Sequence, residues 1–340
     1  MQASVAIVVV NFNGLEDTCA CLASIAAMNE PQVLTIMVDN GSEIDPTERI
    51  NRDFPWCITI RNPENLGWAG GNNTGIRAAL EAGAEQVILL NNDTVVAPAL
   101  VSELLAAAKA NPEFGIIGPL INAMDRPDFV MTDGVVFNTP HEDGFFQRLE
   151  VPPMPGSDVV EVDIVNGCCM MISADVFAAI ALIDEQFFLI HEESDFCLRA
   201  QQHGFRLGIL GKSLLWHKQS TSFARAGKRI QRYYDTRNLH RLLKKHIGAT
   251  RNGRSWRQSW IEYYKYAYHR YCIELEHGKR DSAEAVLEGV YDAWTKHFGG
   301  PVPPRRRRGL AALRWIMNSA RWVKYGRLSL NRPTADVTKI

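Results

Sequence analysis

Several features that mark common protein classes are missing from this sequence. Its 340 residues contain no apolar run long enough to cross a membrane, and no basic then apolar leader opens the chain. There is no internal repeat, and Arg305–Arg308 is the one low-complexity tract. We therefore expect a globular protein without a membrane span or signal peptide, working in the cytoplasm.

Cysteine is also sparse. The seven cysteines are an odd number and most lie in apolar segments, which favours a reducing compartment over a disulfide framework. Neither Cys19 with Cys21 nor Cys168 with Cys169 has the spacing of zinc ligands. We expect these side chains to be buried as small apolar groups.

The net charge of −1 conceals a strong asymmetry along the chain. Residues 1–224 contain 11 Lys and Arg against 29 Asp and Glu, whereas residues 225–340 contain 26 against 9. An acidic half that holds a metal and a basic half that meets anionic lipid or phosphate would explain this difference. Attraction between the two halves explains it equally well.

Short apolar runs alternate with helical segments in the first 110 residues. The apolar, β-branched runs predict buried strands, and an alanine-rich segment that ends near Gly83 predicts a helix. Strands that alternate with helices form parallel sheets covered on both faces. We predict an α/β fold with a Rossmann-like, mostly parallel sheet, with strands at 5–10, 34–38, 57–60 and 87–90 and helices at 15–28, 69–82 and 98–110.

Prolines interrupt this pattern between residues 120 and 165, which predicts loops and short strands. A strand is predicted over 162–172, with a break at Gly167. A short helix follows from Ser173 or Ala174.

The rest of the chain is predicted to become helical. Ser194 is expected to cap a helix that Gly204 ends. We divide the chain into an α/β domain of residues 1–225 and a basic helical region of residues 226–340. The remaining predicted elements are strands at 206–210 and 213–216 and helices at 228–247, 255–279, 281–297 and 309–325.

Polar side chains follow the predicted strands at their carboxyl ends, where parallel sheets bind ligands. Phe12 and Asn13 follow the first strand, and the Phe12 ring can stack on a nucleotide base. Asp39 ends the second strand, and its carboxylate can accept a hydrogen bond from a ribose hydroxyl or a pyrimidine N–H. An Asx turn at Asp39 and a core position for Phe12 are equally consistent with the sequence.

A glycine-rich segment, residues 65–75, opens the next helix. Glycines let backbone N–H groups approach an anion, and a helix N-terminus favours negative charge. The spacing matches neither G-x-G-x-x-G nor a P-loop, and a tight contact between helix and sheet is the alternative. The residues that we place in a nucleotide-binding site here are Asn65, Gly67, Gly71 and Asn72.

A second group of polar residues combines Asp93 with His217. Asp93 offers hard oxygen ligands that suit Mg²⁺ or Mn²⁺, and the neighbouring Asn92 lies beside the expected phosphates. His217 follows a predicted strand and can complete the metal shell or contact a diphosphate. A helix cap at Asp93 and an ordinary surface position for His217 are the alternatives.

The most informative stretch places Glu192, Glu193 and Asp195 within four residues. Like charges crowded at one point repel and raise the free energy of the fold. Such a cluster persists where a cation or a proton transfer requires it. We predict a catalytic carboxylate among these three.

Taken in their order along the chain, the polar and glycine-rich segments described above resemble the inverting nucleotide-sugar glycosyltransferases of family 2, of the rhamnosyltransferase type. The resemblance covers roughly residues 5–245 and implies a GT-A fold, a nucleoside-diphosphate sugar donor and a divalent metal, Mg²⁺ or Mn²⁺. The segments that carry it are Val9–Asn13, Val38–Ser42, Asn65–Asn72, Leu90–Thr94, His191–Arg199, His217 and Tyr234-x-x-Arg237-Asn238.

The resemblance also implies roles for single residues. Phe12 and Asp39 match base-binding positions, and Asp93 matches the last residue of the metal-binding D-x-D element. His217 matches a metal or diphosphate ligand, and Glu193 matches the general base.

Two departures from the family pattern bear on these roles. The D-x-D position reads Asn91-Asn92-Asp93, which leaves one carboxylate. Glu192-Glu193 stands where the family usually has Glu-Asp, so Glu192 and Asp195 compete with Glu193 for the role of base. On the acceptor side we place Trp68 and Arg237.

The residues and the resemblance predict a metal-dependent inverting glycosyltransferase. The expected reaction moves a sugar, first of all rhamnose from dTDP-rhamnose, to a hydroxyl of a glycan or lipid-linked glycan in surface polysaccharide synthesis. UDP-hexoses and UDP-galactofuranose are the other donors considered. A nucleotidyltransferase fits less well because Asn11–Gly14 has no Lys or Arg to bind a triphosphate. A non-catalytic sugar-nucleotide or carbohydrate-binding module is a further alternative.

The basic segment from Arg305 predicts a further partner. A basic amphipathic helix over Leu310–Lys324 can lie on an anionic membrane surface, and packing on its own domain is the alternative. We expect a cytoplasmic protein that is peripheral at the inner face of the cell membrane if this helix binds lipid. No nucleic-acid-binding module accompanies the charge, so we expect no nucleic acid partner.

Overall fold

Ten strands form one central sheet in the part of the chain that the computed structural model describes, and two further strands pair with each other in a small second sheet. Those residues are 4–132, 134–137, 146–148, 159–218, 228–246, 256–301 and 310–321. The strands are β1 Val5–Asn11, β2 Val33–Asp39, β3 Ile58–Arg61, β4 Gln86–Asn91, β5 Thr94–Val96, β6 Phe114–Ala123, β7 Val130–Thr132, β8 Val135–Phe137, β9 Phe146–Arg148, β10 Val159–Glu161, β11 Cys169–Ser173 and β12 Arg206–His217. The helices are α1 Leu15–Ala26, α2 Thr47–Asp53, α3 Gly67–Glu81, α4 Leu100–Ala110, α5 Ala174–Ile180, α6 Glu192–Gln202, α7 Lys228–His246, α8 Trp256–Glu276, α9 Arg280–Thr295 and α10 Leu310–Arg321.

The first half of the sheet is parallel. β1 lies between β2 and β4, and β3 extends the sheet beyond β2. The register pairs Asn11 with Asp39, Asp39 with Arg61, and Val10 with Asn91. The carboxyl ends of these four strands therefore reach the same edge, as the alternation of strands and helices predicted.

The second half of the sheet is mixed. β11 runs antiparallel between β4 and β6, and β6 lies parallel to β12. Strand β6 was not predicted from the sequence, and it is buried along its whole length. The two strands predicted at 206–210 and 213–216 are a single strand, β12, with register irregularities around Ser213.

The strand predicted over 162–172 is wrong in its first half. Ile164 makes only an isolated bridge to Val135, and the chain turns at Gly167 before β11 begins at Cys169. The helix predicted from Ser173 or Ala174 is confirmed as α5.

Helix α3 packs unusually close to the sheet. A Cβ atom at Gly75 would lie 2.3 Å from Cγ1 of Val8 on β1, which is nearer than real side chains approach. Only glycine allows this contact without a shift of the helix. The close packing brings the first turn of α3 to the edge where the parallel strands end.

Hydrophobic cores lie on both faces of the sheet. Leu22 of α1 and Leu104 of α4 belong to the core on one face. The core on the other face contains α3, α6 and the carboxyl-terminal helices, represented by Leu239, Tyr263 and Val286. The basic helical region is therefore packed onto the α/β domain through a shared core. The predicted boundary at residue 225 lies outside the described residues, and it stays a prediction.

Two expectations about composition can be compared with the structure. Among the helices of the described residues, none is long and apolar enough to cross a membrane. Cys19 is half-buried, and the other six cysteines are buried, as predicted.

Candidate active site

Asp39 is held at the end of β2 by groups from three neighbouring segments. Its Oδ1 accepts hydrogen bonds from Asn11 Nδ2, at 2.9 Å, and from the Ser42 hydroxyl. Its Oδ2 accepts the backbone N–H of Ser42 at 3.3 Å and lies 3.6 Å from Nε of Arg61. The bond from Ser42 spans three residues, one more than in the Asx turn that was the alternative interpretation of Asp39, and the carboxylate is fully buried. Its contact with a nucleotide stays a prediction.

Phe12 and Asn13 lie exposed beside Asp39. The Phe12 side chain is 44% exposed, so the alternative that it is a core residue is wrong. Asn13 has a positive φ of 52°, and its Oδ1 accepts the backbone N–H of Glu43 at 2.9 Å. This edge of the sheet therefore presents an aromatic face on which a base can stack.

The glycine-rich segment is folded by backbone and amide contacts. Gly67 has a φ of +73°, and a Cβ there would lie 2.2 Å from the carbonyl oxygen of Phe188. Asn65 Oδ1 accepts the Gly67 N–H at 2.8 Å, which shapes the turn that starts α3. A Cβ at Gly71 would meet Asn40 Nδ2 at 2.9 Å. These glycines are explained by close packing, which was the alternative interpretation.

Asn72 is similarly engaged inside the protein. It is buried, and its Nδ2 donates to the carbonyl oxygen of Trp68 at 2.8 Å. Asn92 is half-buried, and its Nδ2 donates to the hydroxyl of Thr18 at 2.9 Å. The structure therefore places both amides beside the predicted donor site, with their Nδ2 groups turned toward protein atoms.

The structure brings Asp93 and His217 together, although 124 residues separate them. Antiparallel pairing of β5 with β12 sets His217 opposite Thr94. His217 Nε2 then lies 3.1 Å from Asp93 Oδ1, and Lys218 N–H donates to the Asp93 carbonyl at 3.0 Å. Within the ranges that the structure describes, no group of three or more His, Cys, Asp and Glu side chains is arranged to hold a metal. The pair thus offers one carboxylate and one imidazole.

The first turn of α6 carries the three candidate bases. The helix begins at Glu192, so the predicted cap at Ser194 is wrong. His191 is the N-cap instead, in a left-handed conformation with φ 73°, and its carbonyl accepts the N–H of Asp195 at 3.0 Å. Starting the helix three residues earlier places all three carboxylates in its first turn, with Glu193 rotated by about 100° from Glu192.

Glu192 and Glu193 differ in their exposure. Glu192 is buried, and no hydrogen-bond partner of its Oε2 is found among the described residues. Burial, reinforced by the charge of Glu193, raises the pKa of Glu192 well above its usual range. Glu193 is the only one of the three candidates that is not buried.

Asp195 is buried at the centre of an ion cluster. Its carboxylate lies 2.6 Å from Lys245 Nζ, 2.9 Å from His246 Nε2 and 2.9 Å from Arg199 Nε. Burial alone would raise the pKa of Asp195, but the hydrogen bond from His246 and the charges of Lys245 and Arg199 hold it well below its usual range. An acceptor hydroxyl has no access to this carboxylate, so Asp195 is set aside as a base and becomes an anchor between α6 and α7.

A chain of contacts joins Glu193 to the Asp93 end of the cleft. A Cβ at Gly167 would lie 3.1 Å from Cζ2 of Trp68 and 3.4 Å from Cβ of Glu193. The indole N–H of Trp68 donates to Oδ1 of Asn91 at 3.0 Å, two residues before Asp93. Trp68, which we placed on the acceptor side, therefore lies between the two predicted ends of the site.

The acceptor-side placement of Arg237 is wrong. Arg237 is only 1% exposed, and its guanidinium donates to the carbonyl oxygens of Phe187, at 2.9 Å, and Gly299, at 3.3 Å. The Tyr234 ring lies 4.8 Å from its guanidinium carbon. Arg237 is therefore a buried residue that connects the backbone at Phe187 to the backbone at Gly299. The neighbouring Asn238, which the sequence analysis quoted without a role, contacts the same loop.

Comparison with known proteins agrees with this architecture. The family model described as Glycosyl transferase family 2 matches residues 6–180. The chain belongs to this family. The members of glycosyl transferase family 2 act as glycosyltransferases, and the present chain is therefore an enzyme of that class.

Two relatives and one solved structure illustrate the similarity. The low-salt glycan biosynthesis hexosyltransferase Agl10 of Haloferax volcanii is 30% identical over 246 residues, which are 70% of this chain and 75% of the relative. The dTDP-rhamnosyl transferase RfbF of Shigella flexneri is 24% identical over 230 residues, which are 66% of this chain and 75% of the relative. The mannosyltransferase PcManGT of Pyrobaculum calidifontis, solved with GDP-Man and Mn²⁺, superimposes with a TM-score of 0.51 at 16% identity, over 95% of this chain and 81% of that one. The family 2 enzyme thus has the GT-A fold.

We expect Asp195→Asn to lower the free energy of unfolding by about 3 kcal/mol, since the buried His246 and the half-buried Arg199 would lose their anionic partner. Chemical denaturation at neutral pH measures this. The pKa of Asp195 is lowered in the folded state, so its contribution is present above the ordinary carboxyl pKa of about 4 and is lost as the pH falls below it. The difference between wild type and variant should therefore shrink in acid.

The exposed pair of Arg314 and Glu284 provides the control. Glu284→Gln should change the free energy of unfolding by less than about 1 kcal/mol, because exposed ion pairs contribute little. An equal loss in both variants would contradict the anchoring role of Asp195.

Proposed function

We propose that this family 2 enzyme is a metal-dependent, inverting glycosyltransferase in which Glu193 is the general base. The observation that carries this proposal is the position of Glu193. It is the accessible carboxylate of the first turn of α6, and it flanks Gly167 together with Trp68. The hydrogen bond from Trp68 to Asn91 then leads to Asp93, on the donor side.

The residues support a single displacement. The oxygen of an acceptor hydroxyl forms a bond to the anomeric carbon of the donor sugar while the bond from that carbon to the diphosphate breaks. Glu193 takes the proton of the hydroxyl, which typically accelerates such a step by about 10²- to 10⁴-fold. Because burial favours the neutral form of Glu192, a second negative charge beside Glu193 is avoided.

The protein supplies part of the ligand shell that Mg²⁺ or Mn²⁺ would need. Asp93 and His217 would hold the ion, and donor phosphate oxygens commonly complete such shells. The side chain of Asn91 accepts the Trp68 indole N–H, and that of Asn92 donates to Thr18, so Asp93 is the acidic ligand of this element. When bound, the metal would neutralise charge on the departing diphosphate.

For the donor we propose dTDP-rhamnose first. The similarity to a dTDP-rhamnosyl transferase supports this choice, and the similarity to a hexosyltransferase supports UDP-hexoses as the second choice. The exposed ring of Phe12 would stack on the base beside Asp39. The acceptor would be a hydroxyl of a glycan or lipid-linked glycan in surface polysaccharide synthesis.

Helix α10 lies within the predicted amphipathic segment Leu310–Lys324, and its exposed side chains support contact with an anionic membrane surface. Leu313 and Met317 are buried against the protein, so part of the apolar side of this helix is used for internal packing. Trp315 is 72% exposed and Ile316 is 52% exposed. We propose that these two side chains and Arg305–Arg308, which lies outside the described residues, bind the inner face of the cell membrane.

Glu193→Gln should leave the dissociation constant of the donor within about twofold of wild type and lower transfer by at least about 10²-fold, since the amide cannot take a proton. The donor is first identified by screening dTDP- and UDP-sugars for release of nucleoside diphosphate. Transfer is then measured with that donor, and its affinity by calorimetry.

Glu192→Gln is the matched control. This side chain is buried and favoured in its neutral form, so the isosteric amide should retain transfer within about threefold. Unchanged turnover in Glu193→Gln would remove Glu193 as the base. A wild-type protein that binds donors but releases no nucleotide would instead indicate a non-catalytic binding module.

Removal of divalent metal with a chelator should abolish transfer, and Mn²⁺ or Mg²⁺ should restore it. Asp93→Asn should raise the Mn²⁺ concentration for half-maximal activity by about tenfold or more, because the hard anionic ligand is lost. Asp17→Asn, which removes a carboxylate paired with Lys218, is the control and should leave that concentration unchanged. Chelator-resistant transfer would contradict metal dependence.

The full-length protein should float with liposomes that contain anionic lipid, and less so as salt is raised. Trp315→Ala should weaken flotation, whereas Trp256→Ala, at an exposed tryptophan of α8, should not. Equal flotation with neutral liposomes, or none with anionic ones, would contradict the membrane proposal.

A further inference from the structure

The loop that leads into α6 has an unfavourable backbone conformation. Phe188, Ile190 and His191 have φ values of 64°, 71° and 73°, in the left-handed region that residues with a Cβ atom rarely adopt. Three such residues within four positions do not persist unless contacts from outside the loop hold them. The base proposed above, Glu193, follows this loop by two residues.

Asn238 of α7 supplies contacts of the required kind. Its Nδ2 lies 2.8 Å from each of the carbonyl oxygens of Phe187, Leu189 and Ile190. The amide is oriented by Arg237, whose Nε donates to Asn238 Oδ1 at 2.8 Å. Because the amide group has two hydrogens, it can bridge these carbonyls only when the loop turns around it.

Further contacts from α7 secure both sides of this loop. His191 Nε2 lies 3.2 Å from Asp235 Oδ1, at the end of the loop. Lys245 and His246 pair with Asp195, one turn into α6. The first turn of α6 is therefore held by a single helix from the basic region.

The same loop also contacts the donor side of the site. A Cβ atom at Gly67 would lie only 2.2 Å from the carbonyl oxygen of Phe188. The same oxygen accepts a hydrogen bond from the N–H of Ala69 at 3.4 Å. A shift of the loop would thus move the first turn of α6 relative to the start of α3. Misplacement of a catalytic group by about 1 Å can lower a rate by about 10²-fold.

We propose that Asn238 is a positioning residue that holds the 187–191 loop so that Glu193 faces the cleft. The carboxyl-terminal helical region thereby completes the active site of the α/β domain. This inference rests on the proposed function, in which Glu193 takes the proton of the acceptor.

The test compares Asn238→Ala and Asn238→Asp with wild type in the full-length protein. Both variants lose the amide donors, and the carboxylate of Asn238→Asp would also repel the three carbonyls. We expect kcat to fall by about ten- to hundredfold, with the donor Kd within about twofold of wild type. Hydrogen–deuterium exchange should become faster in residues 187–193, while exchange in β1 and β4 stays unchanged.

Substitutions at two buried positions serve as controls. Thr236→Val replaces a hydroxyl on the same helix for which the described residues provide no partner, and it should leave kcat unchanged. Val286→Ala on α9 removes core packing but none of the hydrogen bonds that hold the loop. It should lower the Tm without lowering kcat at temperatures where the protein is folded. The positioning role is contradicted if kcat in Asn238→Ala stays within about twofold of wild type, or if kcat and Tm fall in step as packing is lost.

A double variant separates this inference from the proposed function. If Asn238 acts through Glu193, adding Asn238→Ala to Glu193→Gln should lower kcat little further, because the two effects are not additive. If Glu193→Gln is inactive and Asn238→Ala is fully active, only the positioning role fails. If Glu193→Gln is active, the assignment of the base fails, whatever Asn238 does.

Discussion

The two sides of the candidate active site meet where the backbone of Gly67 touches the carbonyl of Phe188. A Cβ at Gly67 would lie 2.2 Å from that oxygen, so this contact requires glycine. Gly67 starts α3, and Phe188 belongs to the loop that leads to Glu193. The spacing between the start of α3 and the first turn of α6 is thus set by direct contact of two backbones, which deform far less than side chains do.

Three carboxylates on one helical turn have different properties because their surroundings differ. Glu192 is buried and is favoured in its neutral form, whereas Asp195 is buried among cationic groups and stays ionised. Glu193 is the one carboxylate of the three that remains partly exposed. Crowding of like charge, which would otherwise destabilise the fold, is relieved by neutralising one group and pairing another.

Much of the fold could be predicted from the sequence because its parallel strands are short, apolar runs with polar residues at their ends. The meeting of Asp93 with His217 was predicted on the same grounds, since both follow strands that reach the site. β6 was missed because Gly115, Pro119 and Asn122 interrupt its apolar pattern, although neighbouring strands bury it completely. No periodicity signals a strand whose burial comes from distant partners.

The roles of single polar residues were harder to predict. Arg237 was placed on the acceptor side, yet it is buried against backbone carbonyls. The role of Asn238 depends on left-handed residues some fifty positions away, which no local pattern reveals. A sequence shows which side chains can form hydrogen bonds, but the conformation of a distant loop determines which atoms they reach.

The match to the family model ends at residue 180, whereas Glu193, His217 and Asn238 all lie beyond it. The similarity to the hexosyltransferase Agl10 spans 246 residues, so it continues past that point. Helix α6 and the carboxyl-terminal helices share one hydrophobic core, represented by Phe196, Leu239 and Val286. A substitution in those helices can therefore alter the geometry around the first turn of α6 without touching the parallel strands.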